Sequence, residues 1–482
     1  MAEALWRWSE LVAAAAGLAD GSPPANVING ITIDSRAVSP GDLFVALIDK
    51  RDGHDFVANA FAAGAAAALV NMAYERKPAD GALIRVEHTL EGLQRIGIAA
   101  RARLDDNPNA RVIAITGSAG KTTTKEMLKS ALSRLGPTHA ADKSFNNHWG
   151  VPLTLARMPR ETLYGVFEIG MNHPGEIAPL SIMVRPHAAI VLNVLEAHLG
   201  QFASTEKIAE EKAQIFTGLD RNSGTAIFYA DSAHAEVLRR HAEARAAKIL
   251  TFGSGHDNDA YTAGRSGFDE DPLNPQETGV RFKEDNLLVQ CRLPAPGRHI
   301  AMNAVAAMLT IRSIGGDVVE AARGFEALDA PEGRGARIVF KILGGHFLFI
   351  DESYNANPGS MTAAIETARQ AVQDNFTRLV LVLGDMLELG EHSRRLHLSL
   401  KTTIDLCPNV KVFTVGGRMA ALYEELSPAQ QGARQETPEA IEKQLLTEIR
   451  PGDVVMVKGS NGSRTWALAA ALRRHFADGS ST

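Results

Sequence analysis

Cysteine is nearly absent from this chain. Only Cys291 and Cys407 occur in 482 residues, far apart and in no metal-type spacing. That argues against a disulfide framework or a zinc site, and it fits a reducing cytoplasm. Long apolar runs are missing too: no stretch approaches the ~20 apolar residues a membrane-spanning helix needs. The alanine run Ala13 to Ala16 is short, Glu3 and Glu10 interrupt its flanks, and no clear basic region precedes it. It reads as part of a short amphipathic helix, not a secretory signal. Nor is there an excess of positive charge. The 50 Lys and Arg face 56 Asp and Glu, for a net charge of -6. This disfavours a general nucleic-acid binder, while single sites can still hold anions. Internal repeats and low-complexity tracts are also lacking.

What is present is an ordinary globular composition, 45% hydrophobic and 22% charged. At roughly 150 residues per domain, the length suggests about three domains. From Val27 to about Asp106, β-type runs (Ile31 to Ile33, Leu43 to Leu47, Leu83 to Val86) alternate with helical patterns at Phe56 to Ala68 and Leu90 to Leu104. The polar cluster Asp105 to Asn109 then reads as a linker. A second unit opens with Val112 to Ile115 and continues through Gly165 to Ile169, Ala188 to Val194 and Thr225 to Tyr229. Strands alternating with helices imply a mostly parallel sheet covered on both faces. Residues 254 to 293 are polar and rich in Gly, Asp and Pro, and are expected to form an antiparallel insertion or a loop-rich edge. Near Pro331 a third unit begins with a hairpin, Arg337 to Ile342 and Phe347 to Ile350. Strands at Leu379 to Leu383, Val410 to Val415 and Val454 to Val457 follow. The expected domains are therefore 1–108, 109–330 and 331–482.

The strongest local signal is Thr116-Gly117-Ser118-Ala119-Gly120-Lys121-Thr122-Thr123-Thr124, between the apolar run ending at Ile115 and the helical pattern Lys125 to Leu135. Glycines let backbone N–H groups close around phosphate oxygens, and a helix start adds a favourable dipole. The lysine neutralises β/γ charge, and the Thr122 hydroxyl suits Mg²⁺. The full G-x-x-x-x-G-K-[ST] spacing is not met, because Ile115 stands at the first glycine position. Taken alone, the loop leaves a plain glycine-rich turn open, but its place between strand and helix favours nucleotide binding.

The short form G-x-x-G-K-T-T resembles the phosphate loop of Mur ligases, and other segments carry the same resemblance. Phe167 to Ile177 is similar to that family's acidic strand end, Asn193 to Leu199 to its histidine motif, and Glu211 to Phe216 to its modified-lysine segment. Gly297-Arg298-His299 through Asn303-Ala304 resembles its adenine-side helix. Four further segments narrow the resemblance to the member that joins D-alanyl-D-alanine (D-Ala-D-Ala) to a UDP-linked muramoyl tripeptide (UDP-MurNAc-tripeptide). They are Ser144 to Asn147 with Gly150 to Thr154, Asp351 to Pro358, Gly384 to Gly390, and Val457 to Ser460.

The resemblance implies an α/β fold of three domains: a small α/β N-terminal domain binding a UDP-sugar, a central P-loop parallel-sheet ATPase-like domain, and a Rossmann-like C-terminal domain. It implies an ATP-dependent carboxylate–amine ligase of peptidoglycan precursor synthesis, cytoplasmic and monomeric, with no nucleic-acid partner and no membrane insertion. ATP would phosphorylate the tripeptide's terminal carboxylate, and the dipeptide amine would then attack the acyl phosphate. Residue roles follow the same resemblance. Gly117, Ser118, Ala119, Gly120, Lys121, Thr122 and Thr123 would hold the phosphates, with Lys121 also catalytic. Thr122 and Glu168 would ligate one Mg²⁺, and His198 with a carbamylated Lys212 would support a second. His299 and Asn303 are expected at the adenine, Arg337 at phosphate across the domain gap, and Asp351 at the ribose. Ser35 and Arg36 would hold the UDP-sugar, Asn146 and Asn147 the muramoyl or peptide part. Tyr354, Asn355 and Asn357 are expected on the substrate side.

Plainer readings accompany these roles. Glu168 reads also as a solvent-facing carboxylate, His198 as a structural histidine, and Lys212 as a solvated lysine paired along a helix. His299 and Asn303 read as helix-face residues, Arg337 as a surface ion pair, and Asn355 to Pro358 as a turn. Two departures stand out. Asp49 occupies a place where the family usually has glycine. Asp106-Asn107-Pro108 is similar to the D-N-P-R signature of the diaminopimelate-adding relative, but it lies in a linker with Asn109 next, so it reads as a turn. The alternatives are another Mur-type ligase, or a P-loop switch with no amine acceptor. Sites spread over three domains predict closure of the third domain onto the central one.

Overall fold

The computed structural model describes residues 4–24, 27–263, 277–330, 332–372 and 376–477. Pro331, near which the third unit was expected to begin, and residues 264–276 of the expected insertion lie outside these. Three α/β sheets carry the chain.

The first sheet has five strands, in the spatial order Leu18–Asp20, Ala82–Val86, Ala67–Asn71, Asp42–Val45 and Gly30–Thr32. All pairings are parallel except that of the edge strand Leu18–Asp20. Here the structure corrects the sequence reading. Phe56 to Ala68 is not one helix but a short helix, Val57–Ala62, followed by a strand from Ala67. Gly64, at φ +103°, ends the helix in a conformation that L side chains rarely adopt. The run Ala67 to Val70 is buried on both faces, as central parallel strands require, so it shows no alternation to betray it. The first segment also holds more than a helix. Trp6–Arg7 pairs with Val27–Ile28 before the helix Trp8–Ala15 begins.

The second sheet has nine strands. Thr138–Ala140, Tyr164–Glu168, Arg111–Thr116, Ala188–Val191, Thr225–Tyr229, Lys248–Gly253 and Ala260–Ala263 run parallel in that spatial order. Glu277–Phe282 and Leu288–Arg292 then extend the edge antiparallel, as expected for that stretch. Because Arg111–Thr116 lies between Tyr164–Glu168 and Ala188–Val191, the loops after all three strands converge at one edge. Doubly wound sheets bind ligands at such an edge. The third sheet has six strands and opens with the expected hairpin, Ala336–Ile342 against Gly345–Glu352. Its remaining pairings are parallel.

The first two sheets are joined by shared packing. The Trp6 indole N–H donates to Ala156 O at 2.9 Å. The Arg103 guanidinium lies 4.0 Å from the Trp6 ring centroid and donates to Met158 O at 2.6 Å. Leu153 and Ala156, on the helix Gly150–Ala156, sit inside the N-terminal core. The third sheet's domain rests on the central one through loop contacts, with Gly200 N donating to Glu388 O at 2.9 Å, and through a shared buried apolar cluster that includes Leu199, Phe202, Met386 and Leu389. No helix among the described residues is long and apolar enough to cross a membrane.

Two central-domain histidines couple this fold to pH. His187 Nδ1 accepts from Val112 N at 2.8 Å, and His139 Nε2 lies 2.7 Å from Thr154 O. Burial pushes both down to about 4. The unfolded chain therefore takes up these protons first. The stability they contribute is complete above about pH 6.5 and is lost as the pH falls from there toward 4. The midpoint of urea unfolding should drop between about pH 7 and pH 5, less steeply in His187→Gln. A midpoint flat across that range would contradict this.

Candidate active site

The phosphate loop is shaped from both sides. Gly120 precedes the helix Lys121–Ser133 with φ +82°. A Cβ there would lie 2.7 Å from Asn303 Oδ1, so the glycine lets the helix Arg298–Ser313 approach the loop. Asn193 clasps the loop from the neighbouring strand end. Its Oδ1 accepts from Ala119 N at 2.9 Å, its Nδ2 donates to Ala119 O at 3.1 Å, and its backbone O accepts from Ser118 N at 3.1 Å. Leu195 N donates to Ser118 Oγ at 2.9 Å. Asn193 opens the segment Asn193 to Leu199, and nothing in the sequence alone gives this asparagine a role. Lys121 Nζ folds back to donate to Gly117 O at 2.7 Å. Burial lowers its pKa, and the nearby Glu168 charge opposes that.

Glu168 ends the strand Tyr164–Glu168 and is buried, not solvent-facing. Its Oε2 accepts from Thr122 Oγ1 at 2.8 Å, and its Oε1 accepts from Ser144 Oγ at 2.9 Å and Asn146 Nδ2 at 2.7 Å. A carboxylate and a hydroxyl in contact beside a phosphate loop are the hard-oxygen donors that suit Mg²⁺. No group of three or more His, Cys, Asp or Glu among the described residues is arranged to hold a metal. A Mg²⁺ held by this pair would draw its remaining oxygen ligands from phosphate and water.

These residues form one wall of a cavity of about 240 Å³ between the central and third domains. His299 and Asn303 lie on the same wall. Arg334, Glu352, Tyr354, Asn355, Asn357 and Lys458 line the other. The Arg334 guanidinium lies 3.8 Å from the Tyr354 ring centroid, and Lys458 Nζ donates to Glu352 Oε2 at 3.3 Å and Asn355 O at 3.0 Å. Asn357 also caps the helix Pro358–Ala371 through reciprocal bonds with Ser360.

Three residues expected at the site do not line this cavity. Arg334, not Arg337, reaches the cavity. Arg337 lies on the strand Ala336–Ile342, where burial lowers its pKa to about 10 and the Glu352 charge opposes the shift. Asp351 does not line the cavity. Its carboxylate accepts from Gly333 N at 3.1 Å, Ser353 N at 3.0 Å and Ser353 Oγ at 2.6 Å, and it pairs with Arg473. Asp351 thereby fixes Gly333 and, through it, the position of Arg334. Asn147 does not line the cavity either. Its Oδ1 accepts from Gly150 N at 2.9 Å and secures the start of the helix Gly150–Ala156.

Lys212 is no solvated lysine. It is 2% exposed on the helix Thr205–Ala213, and burial drives its pKa well below the usual lysine value, with the Lys121 charge adding to the effect. Glu211 opposes this, but its carboxylate is bonded to Gly175 N at 2.8 Å and Ile177 N at 3.0 Å. His198 does not line the first cavity. It has φ +60°, and its Nδ1 lies 2.5 Å from Glu388 Oε2 on the third domain, in ion-pair range but off the hydrogen-bond axis.

A larger cavity, about 600 Å³, opens on the N-terminal domain. Ser35 and Arg36 line it, Arg36 held by Asp34 in a bidentate pair of 2.9 and 2.7 Å. Asp49 is on its wall, with Lys50 and Arg51 beside it. His148 and Trp149 close it from the central domain. They directly follow Asn146-Asn147, but nothing in the sequence places them against the first domain.

Three stretches of the chain match Mur ligase domains. Residues 27–101 match the Mur ligase family catalytic domain, 115–311 the Mur ligase middle domain, and 337–461 the Mur ligase glutamate ligase domain. The UDP-N-acetylmuramoyl-tripeptide–D-alanyl-D-alanine ligase of Escherichia coli is 34% identical over 454 residues, covering 93% of this chain and 94% of its own length. That of Bacillus subtilis is 33% identical over 443 residues, covering 91% and 92%. Among solved structures, MurF from Acinetobacter baumannii aligns with a TM-score of 0.81 at 33% identity, covering 97% of this chain and 99% of that one. MurF from Thermotoga maritima in complex with ADP aligns with a TM-score of 0.73 at 26% identity, covering 93% and 98%.

Proposed function

This chain belongs to the Mur ligase family, and from that premise we propose that it joins D-Ala-D-Ala to UDP-MurNAc-tripeptide at the expense of ATP. One observation carries the reading. The phosphate loop, the Thr122–Glu168 pair and the basic groups Arg334 and Lys458 face a single cavity between two domains. Such a cavity suits phosphoryl transfer, which needs positioning and charge neutralisation more than covalent help. A carboxylate oxygen is a poor leaving group and a phosphate a good one, so phosphorylating the tripeptide's terminal carboxylate prepares it for attack by an amine.

In this reading the backbone N–H groups of residues 117–123 cradle the β- and γ-phosphates, and Lys121 turns from Gly117 O to the phosphate oxygens. Mg²⁺ held by Thr122 and Glu168 would neutralise charge between those phosphates. Arg334 and Lys458 supply positive charge from the opposite wall. Asn146 and Ser144 keep Glu168 aimed at Thr122. His299 and Asn303 face the adenine, and the N-terminal cavity takes the UDP-sugar through Ser35 and Arg36. Lys212 is carbamylated. Burial favours its uncharged amine, the form that adds CO₂, and the N–C bond forms with loss of a proton to leave an anion near Lys121. With His198, that anion would support a second Mg²⁺. The domains divide near residues 108 and 330. One chain supplies both walls of each cavity, which supports action as a monomer, and nucleotide-linked substrates support a cytoplasmic setting.

The test is phosphate release from ATP with UDP-MurNAc-tripeptide, with D-Ala-D-Ala present or omitted. Release that depends on the dipeptide, with a UDP-linked pentapeptide as product, is the expected result. Turnover only with a different amine would move the substrate to a sister enzyme. ATP hydrolysis indifferent to any amine would favour a P-loop switch and sink the ligase reading.

A further inference from the structure

Beside the first cavity lies a smaller one of about 200 Å³, between the phosphate loop and the third domain. The two share Ser118, Asn355, Ala356 and Asn357, so they meet at a common wall. Glu388 is the one acidic side chain among the described residues lining the smaller cavity, and its surroundings there are mainly amides and hydroxyls, such as Asn172, Asn461 and Ser460. Its Oε2 faces His198, and the side chain is otherwise half exposed.

The turn that carries Glu388 is firmly built. Met386 N donates to His397 Nε2 at 3.0 Å, Leu387 N to Ser460 Oγ at 2.9 Å, and Gly200 N to Glu388 O at 2.9 Å. Glu388 itself stands at φ +63°. A glutamate holds that left-handed conformation where its surroundings demand it, and such positions concentrate at ligand sites.

We propose that Glu388 receives the ammonium group of the incoming amine substrate and seats its amino end against the wall shared with the phosphate cavity. This rests on the ligase reading above. A free α-amino group with a pKa near 8 arrives mostly protonated, and a fixed carboxylate in a pocket lined otherwise by His198, amides, hydroxyls and apolar groups is its natural partner. The neighbouring amides are suited to the remaining polar groups of a short peptide. The assignment concerns binding; the proton leaves the amine only after seating.

Steady-state kinetics on Glu388→Gln in the full-length enzyme tests this. The expected result is a KM for D-Ala-D-Ala raised roughly 10- to 100-fold, the worth of a charge-assisted hydrogen bond. KM for ATP and for UDP-MurNAc-tripeptide, and the Mg²⁺ dependence, should stay within about twofold, which also reports that the variant is folded. N-acetyl-D-Ala-D-Ala, which lacks the ammonium, should compete equally weakly in both enzymes. An unchanged dipeptide KM overturns the assignment. So does a shifted Mg²⁺ dependence, which would make Glu388 a support for the metal site through His198. If the wild-type enzyme shows no dipeptide-dependent turnover, the ligase reading fails and takes this one with it.

Discussion

Lys121→Ala is expected to lower dipeptide-dependent phosphate release by about 10³-fold, the usual cost of removing one preorganised charged donor at a transition state. The same substitution should leave the melting temperature unchanged or slightly raised. Both expectations come from one geometry. Lys121 Nζ sits on the loop's own carbonyl, Gly117 O, next to the Glu168 carboxylate and in surroundings that penalise its charge. Before nucleotide binds, that ammonium is a desolvated cation with modest compensation, so its loss costs the fold little. Once β- and γ-phosphates arrive it has strong partners, and its contribution grows as charge builds on the transferring group. Activity within about tenfold of wild type would show that the loop does not hold the reacting phosphates.

Lys212→Ala is expected to cost roughly 10²- to 10³-fold in the same assay, with partial recovery on adding a short carboxylic acid such as acetate. The lysine is buried beside another cation, and Glu211, which favours its charge, has its oxygens committed to Gly175 and Ile177. A carbamate would reverse the sign at this position and relieve the repulsion from Lys121. Acetate entering the space left by Ala would restore the negative charge but not the tether, so rescue should be incomplete. Full activity in Lys212→Ala would end the carbamate hypothesis. A deep loss that acetate leaves untouched would point to the lysine's packing or its positive charge instead.

Much of this was legible in the sequence because the chemistry is local. Gly117 to Thr123 follow a strand and start a helix, and Thr122 with Glu168 meet because parallel neighbours end at the same edge. What stayed hidden depends on tertiary placement. Ala67 to Val70 has neither helical nor alternating period, because both faces of that strand are buried. Arg334 and Arg337 lie three residues apart in a Gly-rich segment, and no periodicity says which one turns into the cleft. Asp351 stands near the end of a β-run, as the sequence suggests, but its bonds to Gly333, Ser353 and Arg473 span up to 122 residues of chain. Trp149 and Glu388 matter through domains other than their own, a relation that sequence spacing does not encode.

The junction of Trp6 and Arg103 with Ala156 and Met158 bears on how such enzymes can be recombined. A chimera that takes residues 1–108 from one relative and the remainder from another would divide a single core, separating the Trp6 indole and the Arg103 guanidinium from the carbonyls they were fitted to. The helix Gly150–Ala156 would have to travel with the graft. A crossover near residue 330 would divide a core as well, because Leu199 and Phe202 of the central domain and Met386 and Leu389 of the third belong to one buried apolar cluster. Either exchange therefore has to carry the packed segments of the neighbouring domain with it.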